Sequence, residues 1–85
     1  MEAPLAIQEF IEYVVVQLID HREAAAVLHD RKGNRHDYRI RLHPDVIGRV
    51  IGRNGATISA IRNLAMAAAL KNELKITIEI EDGKG

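Results

Sequence analysis

Eighty-five residues, 47% hydrophobic and 28% charged, suffice for one small domain with a modest core, which excludes both a two-domain chain and an intrinsically disordered one. The absence of cysteine excludes disulfide staples, thiolate metal sites and cysteine nucleophiles, and fits a reducing, cytoplasmic setting. Twelve basic and twelve acidic side chains cancel overall but not locally: residues 1–30 carry one basic and six acidic residues, residues 31–71 nine basic and two acidic, and residues 72–85 two basic and four acidic.

In chain order, Pro4 suits a first helical turn, and Leu5, Ile7, Phe10, Ile11, Val14, Leu18 and Ile19 recur at three- and four-residue spacing, so residues 4 to about 20 read as an amphipathic helix. After the polar break Asp20-His21-Arg22-Glu23, a short strand is expected from Ala24 to His29. The turn Asp30-Arg31-Lys32-Gly33-Asn34 then leads into Tyr38, Ile40 and Leu42 alternating with Asp37, Arg39 and Arg41, a hairpin with a basic tip. Arg39 and Arg41 fall on the side of their strand opposite to Tyr38 and are placed on an open sheet face. A turn centred on Lys32 and Gly33 would set His29 opposite His36; without a compelling third ligand the pair is read as structural rather than metal-binding.

Pro44 and Asp45 open a short helix ending near Ile51. A second helix follows, with Ile58, Ile61, Leu64, Ala65 and Ala68 forming its apolar stripe, and a last strand alternates Leu74, Ile76, Ile78 and Ile80 with Lys75, Thr77 and Glu79. The domain core is expected over residues 4–81, with 82–85 a flexible tail. The order helix, strand, strand, helix, helix, strand makes an α+β two-layer fold, three helices on one face of a three-stranded mixed sheet, with the strands flanking the helix pair parallel. The longest apolar run, Leu64 to Leu70, is far short of the ~18 residues that span a bilayer, and Glu2 and Glu9 stand where a secretory leader would carry cations. A membrane-bound or secreted protein is therefore not expected.

Chemistry concentrates in Gly48-Arg49-Val50-Ile51-Gly52-Arg53-Asn54-Gly55-Ala56-Thr57-Ile58. Gly52 and Gly55 permit a tight turn against which another backbone can lie, Arg53 adds a charge, and the helix that follows presents unpaired N–H groups to an anion. Nucleotide-hydrolase and dinucleotide loops are excluded because no Lys-Ser or Lys-Thr follows the second glycine and a helix, not a strand, precedes the loop. No nucleophile stands beside a base, so an enzyme is not expected; Asp45, the one carboxylate near the loop, reads as a helix cap. Three aromatic residues, Phe10, Tyr13 and Tyr38, are too few for a base-stacking platform, and Phe10 and Tyr38 are assigned to the core.

The stretch from Val50 to Ile58 resembles the KH-domain signature V-I-G-x-x-G-x-x-I, in which a GxxG loop clamps single-stranded nucleotides by their backbone. The element order resembles the type II KH fold over nearly the whole chain, and the length resembles the small bacterial stand-alone KH proteins of the KhpA type. This resemblance implies a non-catalytic, cofactor-free RNA-binding protein without a small-molecule substrate or a membrane partner. It further implies an RNA chaperone or post-transcriptional regulator, acting as a homodimer or with a larger KH-containing protein. Carried onto this chain, Gly52 and Gly55 would admit the RNA backbone, Arg53 and Asn54 would contact phosphates, and Arg49 would stand at the groove rim. Ile47, Val50 and Ile51 would line an apolar floor, and Arg31, Lys32 and Arg35 would approach from the opposite wall as a variable loop. Zero net charge and the acidic first helix favour the alternative, a KH-fold protein-interaction scaffold with little RNA binding.

Overall fold

In a computed structural model of the chain, which describes residues 2–83, the first helix, α1, spans Ala3–Leu18 with Pro4 in its first turn. Ile7, Ile11 and Val15, spaced by four, form its buried face. The helix stops at Leu18 because Ile19 turns to an extended conformation (φ −126°, ψ 159°) and is itself buried. A one-turn 3-10 segment at Arg22–Ala24 leads into the hairpin, strands β1 (Ala25–Lys32) and β2 (Arg35–Leu42).

Only Gly33 and Asn34 separate these strands, and Gly33 takes φ +66° at the first loop position, where a II′ hairpin turn calls for glycine. The turn is thus centred one residue later than expected. His29 lies opposite Tyr38, and His36 opposite Arg31, which corrects the direct His29–His36 pairing. The two histidines remain diagonal neighbours on the helix-facing side of the sheet. Their rings stack at 4.9 Å, with His29 Nε2 and His36 Nδ1 2.7 Å apart, and His29 also stacks on Tyr38 at 4.7 Å.

That contact sets a pH dependence. His36 is 3% exposed; burial first, then the charges of His29 and Arg31, hold its pKa below the ordinary 6.5. The unfolded chain binds the proton more readily, so this contribution to stability is complete above pH 6.5 and is lost as pH falls through the lower folded value. Thermal melts are expected to show Tm falling from pH 7 to pH 5, with His36→Phe flattening that fall. Equal slopes in both proteins would refute the assignment.

After β2 come α2 (Pro44–Ile51), α3 (Ala56–Lys71) and β3 (Lys75–Asp82). Asp45 occupies the first turn of α2, but the cap is His43, whose Nδ1 accepts the Asp45 N–H at 3.2 Å. In the sheet order β1-β2-β3, central β2 is antiparallel to β1 and parallel to β3. The hairpin exhausts the antiparallel connection, so the return to the same sheet must cross over through α2 and α3. Tyr38, Ile40 and Leu42 of β2 are fully buried beneath the helices, with Val50, Ile58, Ile61, Ala65, Ala69 and Ile78 closing the core; Phe10 is partly buried against it.

The apolar stripe of α3 runs Ile58, Ile61, Ala65, Ala69, and corrects the expected one: Leu64 is 61% exposed and Ala68 is exposed too. α3 packs on α1, and Ala65 and Ala69 are the small residues among those it buries. β3 continues past Ile80 through Asp82, and the Gly83 N–H donates to the Leu42 carbonyl at 2.7 Å. The part of the expected tail formed by Lys84 and Gly85 lies outside the described residues. Among the described residues no helix is long and apolar enough to cross a membrane.

Candidate functional site

The loop between α2 and α3 owes its shape to three residues in positive-φ backbone. Gly52 sits at φ +77°, ψ 174°, a region open essentially to glycine alone, followed by Asn54 (φ 56°, ψ 26°) and Gly55 (φ 74°, ψ 12°) in the left-handed helical region. A Cβ on Gly52 would lie within 2.9 Å of the Thr57 backbone nitrogen and closer still to its side chain. Here glycine is required by space as well as by conformation. The loop is tied to itself by Gly52 N–H to Gly48 O (2.9 Å) and Gly55 N–H to Gly52 O (3.1 Å). Arg53 and Asn54 are exposed at its tip, and no side chain caps the first turn of α3, so loop and helix end together present donors and positive potential.

Beside the loop runs an open strand edge. The Lys75 N–H bonds to Asn34 and the Gly83 N–H to Leu42, so the odd-numbered residues of β3 direct their backbone groups at β2, and Ile76, Ile78 and Ile80 direct theirs outward. Arg62, one face of α3 away from the core, donates from Nε to the Ile78 carbonyl at 3.0 Å. Its guanidinium is thereby anchored on the free edge, within the strip bounded by the loop, α3 and β3. Arg62 was missed in the sequence because an arginine on a helix carries no sign of the strand it will reach; only its single-residue offset from Ile61 could have hinted at it.

Of the other anticipated site residues, Ile47 and Ile51 are half-buried and keep apolar surface beside the loop. Val50 is fully buried; its side chain is core and has no surface to offer a base, because α2 needs one residue per turn to hold it to the sheet. Arg49 turns toward the end of α1, where its Nη1 meets Asp20 Oδ2 at 2.9 Å, both side chains exposed. Such a pair is weak enough to be exchanged for a phosphate.

Arg31, Lys32 and Arg35 do not join the loop. α3 starts at the loop and runs away from it to the sheet end where β3 begins, and there the Lys75 N–H meets Asn34 of the hairpin turn. The 14 residues from Ala56 to Ala69 alone span about 20 Å, so the hairpin tip and the GxxG loop occupy opposite ends of the sheet. On the open face, Arg39 bonds Asp30 (3.3 Å) and Glu81 (3.4 Å), and Arg41 bonds Glu81 (2.8 Å). Those bonds hold the Glu81 carboxyl below its usual range, Arg41 contributing most. Among the described residues no group of three or more His, Asp or Glu side chains is placed to hold a metal ion.

An α-β-β-α-α-β chain with a positive-φ GxxG loop between its second and third helices defines a type II KH fold. The KhpA/KhpB KH-domain family model matches residues 8–80, and the chain belongs to that family. It is 32% identical over 72 residues to RNA-binding protein KhpA of Halalkalibacterium halodurans, covering 85% of this chain and 95% of that protein. With RNA-binding protein KhpA of Bacillus subtilis it shares 30% identity over 76 residues, 89% of this chain and 94% of that one. With that of Chlamydia caviae it shares 30% over 77 residues, 91% and 99%. Among solved structures, Aquifex aeolicus Era bound to GDP.AlF4- superposes with a TM-score of 0.62 at 15% identity, covering 96% of this chain but 31% of that one, a likeness of fold.

Proposed function

We propose that this chain is a non-catalytic RNA-binding KH protein that holds single-stranded RNA between the GxxG loop and the free edge of β3. The observation that carries this reading is the loop itself, whose glycine conformations leave the backbone open to close approach while Arg53 and Asn54 stand unobstructed at its tip. RNA phosphates pass over Gly52 to Gly55 and meet Arg53, Asn54 and the first N–H groups of α3. Bases lie toward Ile47 and Ile51, with the outward N–H and C=O groups of Ile80 and the Arg62 guanidinium available to their polar edges. The names of its relatives, RNA-binding proteins that match over most of their length, support the same ligand class. A role as an RNA chaperone or post-transcriptional regulator in the cytoplasm belongs to this reading.

One such site engages few nucleotides, so a second copy or a larger KH-containing partner would raise affinity through effective concentration. Met66, Leu70, Leu74 and Ile76, which line an apolar depression between α3 and the start of β3, support a partner surface there. The GxxG assignment is tested by fluorescence anisotropy of labelled single-stranded RNA against wild type and Arg53→Asp/Asn54→Asp. Loss of binding by a variant with a wild-type circular dichroism spectrum is expected. No binding by wild type at low salt, or equal binding by the folded variant, would leave the scaffold reading in its place.

A further inference from the structure

Arg49 and Arg53 stand on either side of Gly52 and differ in state. Arg53 is exposed at the loop tip, and no carboxylate is bonded to it among the described residues. Arg49 lies in the last turn of α2, next to Gly48, whose carbonyl accepts the Gly52 N–H at 2.9 Å. Its Nη1 is already engaged by Asp20 Oδ2 at 2.9 Å, with the two side chains 53% and 75% exposed. This pairing is not the default of the helix. Asp45 lies four residues earlier on α2, a spacing at which an acid N-terminal to a base pairs well, yet Asp45 turns to His43 at 3.5 Å and Arg49 to a carboxylate 29 residues away in sequence. Asp20 is set in place by the residue before it. Ile19 is buried in extended backbone just past the end of α1, which fixes the chain where the carboxylate emerges. A member of the acidic first third of the chain thus reaches the rim of a loop that presents donors to an anion.

We propose that Asp20 is a built-in competitor of RNA, which occupies the Arg49 guanidinium in the free protein and lowers the affinity of the GxxG site. The inference rests on the RNA-binding reading and adds a regulating residue to that site. A carboxylate and a phosphodiester each carry one negative charge and accept from a guanidinium in the same way. A phosphate that displaces Asp20 therefore exchanges one ion pair for another and gains little. A phosphate that instead takes the remaining donors of Arg49 comes to lie beside the Asp20 carboxylate and is repelled by it. Both routes weaken binding, and both act through Arg49 alone. Arg53 gives up no such partner and contributes its charge in full. The effect is to keep a single site weak and readily reversed, so that tight binding depends on a second site brought alongside it.

The test is a double-mutant cycle on the full chain. Wild type, Asp20→Asn, Arg49→Gln and the double variant are titrated by anisotropy against one labelled single-stranded RNA oligonucleotide. Asp20→Asn keeps the size of the side chain and removes its charge. It is expected to bind about two- to fivefold more tightly than wild type, the range set by an exposed ion pair, with a log–log salt slope steeper by up to about 0.7. Arg49→Gln should weaken binding more in the Asp20→Asn background than in wild type. Once Arg49 is gone, Asp20→Asn should gain no more than Glu9→Gln, which removes one charge from the exposed side of α1 and reports the general effect of net charge. Asp20→Glu, which keeps a carboxylate for Arg49, should bind as wild type does. All these substitutions fall on exposed side chains and should leave the circular dichroism spectrum unchanged. Equal affinity of Asp20→Asn and wild type, or a gain that persists in full without Arg49, would overturn the competitor role. The loop assignment would still stand in that case if Arg53→Asp/Asn54→Asp loses binding. No RNA binding by wild type at low salt would remove both.

Discussion

Gly52→Ala is expected to cost about 2–4 kcal/mol and to abolish RNA binding at concentrations that saturate wild type. The backbone at φ +77°, ψ 174° is a region in which a side chain costs roughly 1–3 kcal/mol, and the new Cβ would also overlap Thr57, whose Oγ1, Cβ and backbone nitrogen all fall inside contact distance. Relief requires either Thr57 or the loop to move, and Thr57 belongs to the first turn of α3, so the donors at the helix end move with it. Gly55 provides the control. Its φ of 74° and ψ of 12° lie in the left-handed helical region that asparagine tolerates, and a Cβ there meets nothing within 4 Å. Gly55→Asn should therefore cost less than about 1 kcal/mol and keep most of the binding. Urea melts and RNA titrations of the two variants check this; equal losses at both positions would show that conformation alone, not the approach to Thr57, governs the loop.

The second large effect is expected at Tyr38. Its ring is fully buried, stacks on His29 at 4.7 Å, and its hydroxyl donates to the Pro4 carbonyl at 2.6 Å, which ties the start of α1 to the central strand. Burial raises its pKa above the usual 10.0, so the hydroxyl keeps its proton and its bond to Pro4 at neutral pH. Truncation to alanine should cost about 3–5 kcal/mol, set against a total of roughly 4–13 kcal/mol for a domain of this length. Tyr38→Phe keeps the packing and removes one hydrogen bond, worth about 1 kcal/mol, or a Tm fall of about 4–8 °C. Denaturant melts separate the two. A Phe variant as damaged as the Ala variant would mean that the tie to α1, rather than the buried ring, carries the stability.

The glycine turn at Gly52 and the buried alternation at Tyr38 were written locally, although the Tyr38 bond to Pro4 was not, and the same local legibility holds for much of the fold. The four-residue step from Ile7 to Ile11, the alternation of Tyr38, Ile40 and Leu42, Pro44 before a short helix and the GxxG turn each depend on a handful of consecutive residues. Helix period, strand period and the φ range of glycine are properties of short stretches of chain, so element order, fold class and the loop were all legible before any coordinates. Along α3 the sequence reading held Ile58, Ile61 and Ala65 but took Leu64 and Ala68 where the structure buries Ala69, because three- and four-residue steps from Ile61 are equally good locally. The choice was made by the tertiary packing, which buries Ala65 and Ala69 and leaves Leu64 and Ala68 exposed.

Register and position along the sheet were decided in the same non-local way. The hairpin turn lies one residue later than composition suggested, because Gly33 closes a two-residue loop, and that single step moved His29 from opposite His36 to opposite Tyr38. The same register set Lys32 and Arg35 of the hairpin in line with Lys75 of β3, which is distant in sequence. The parallel return of β3 put the hairpin tip at the far end of the sheet from the GxxG loop, separating two basic segments that the family resemblance had set on opposite walls of one groove. Sequence by itself determined what each segment is, since torsional preference and hydrophobic periodicity act over a few residues. Only the tertiary structure decided which segments share a surface, since charges and backbone groups find their partners across the sheet and not along the chain.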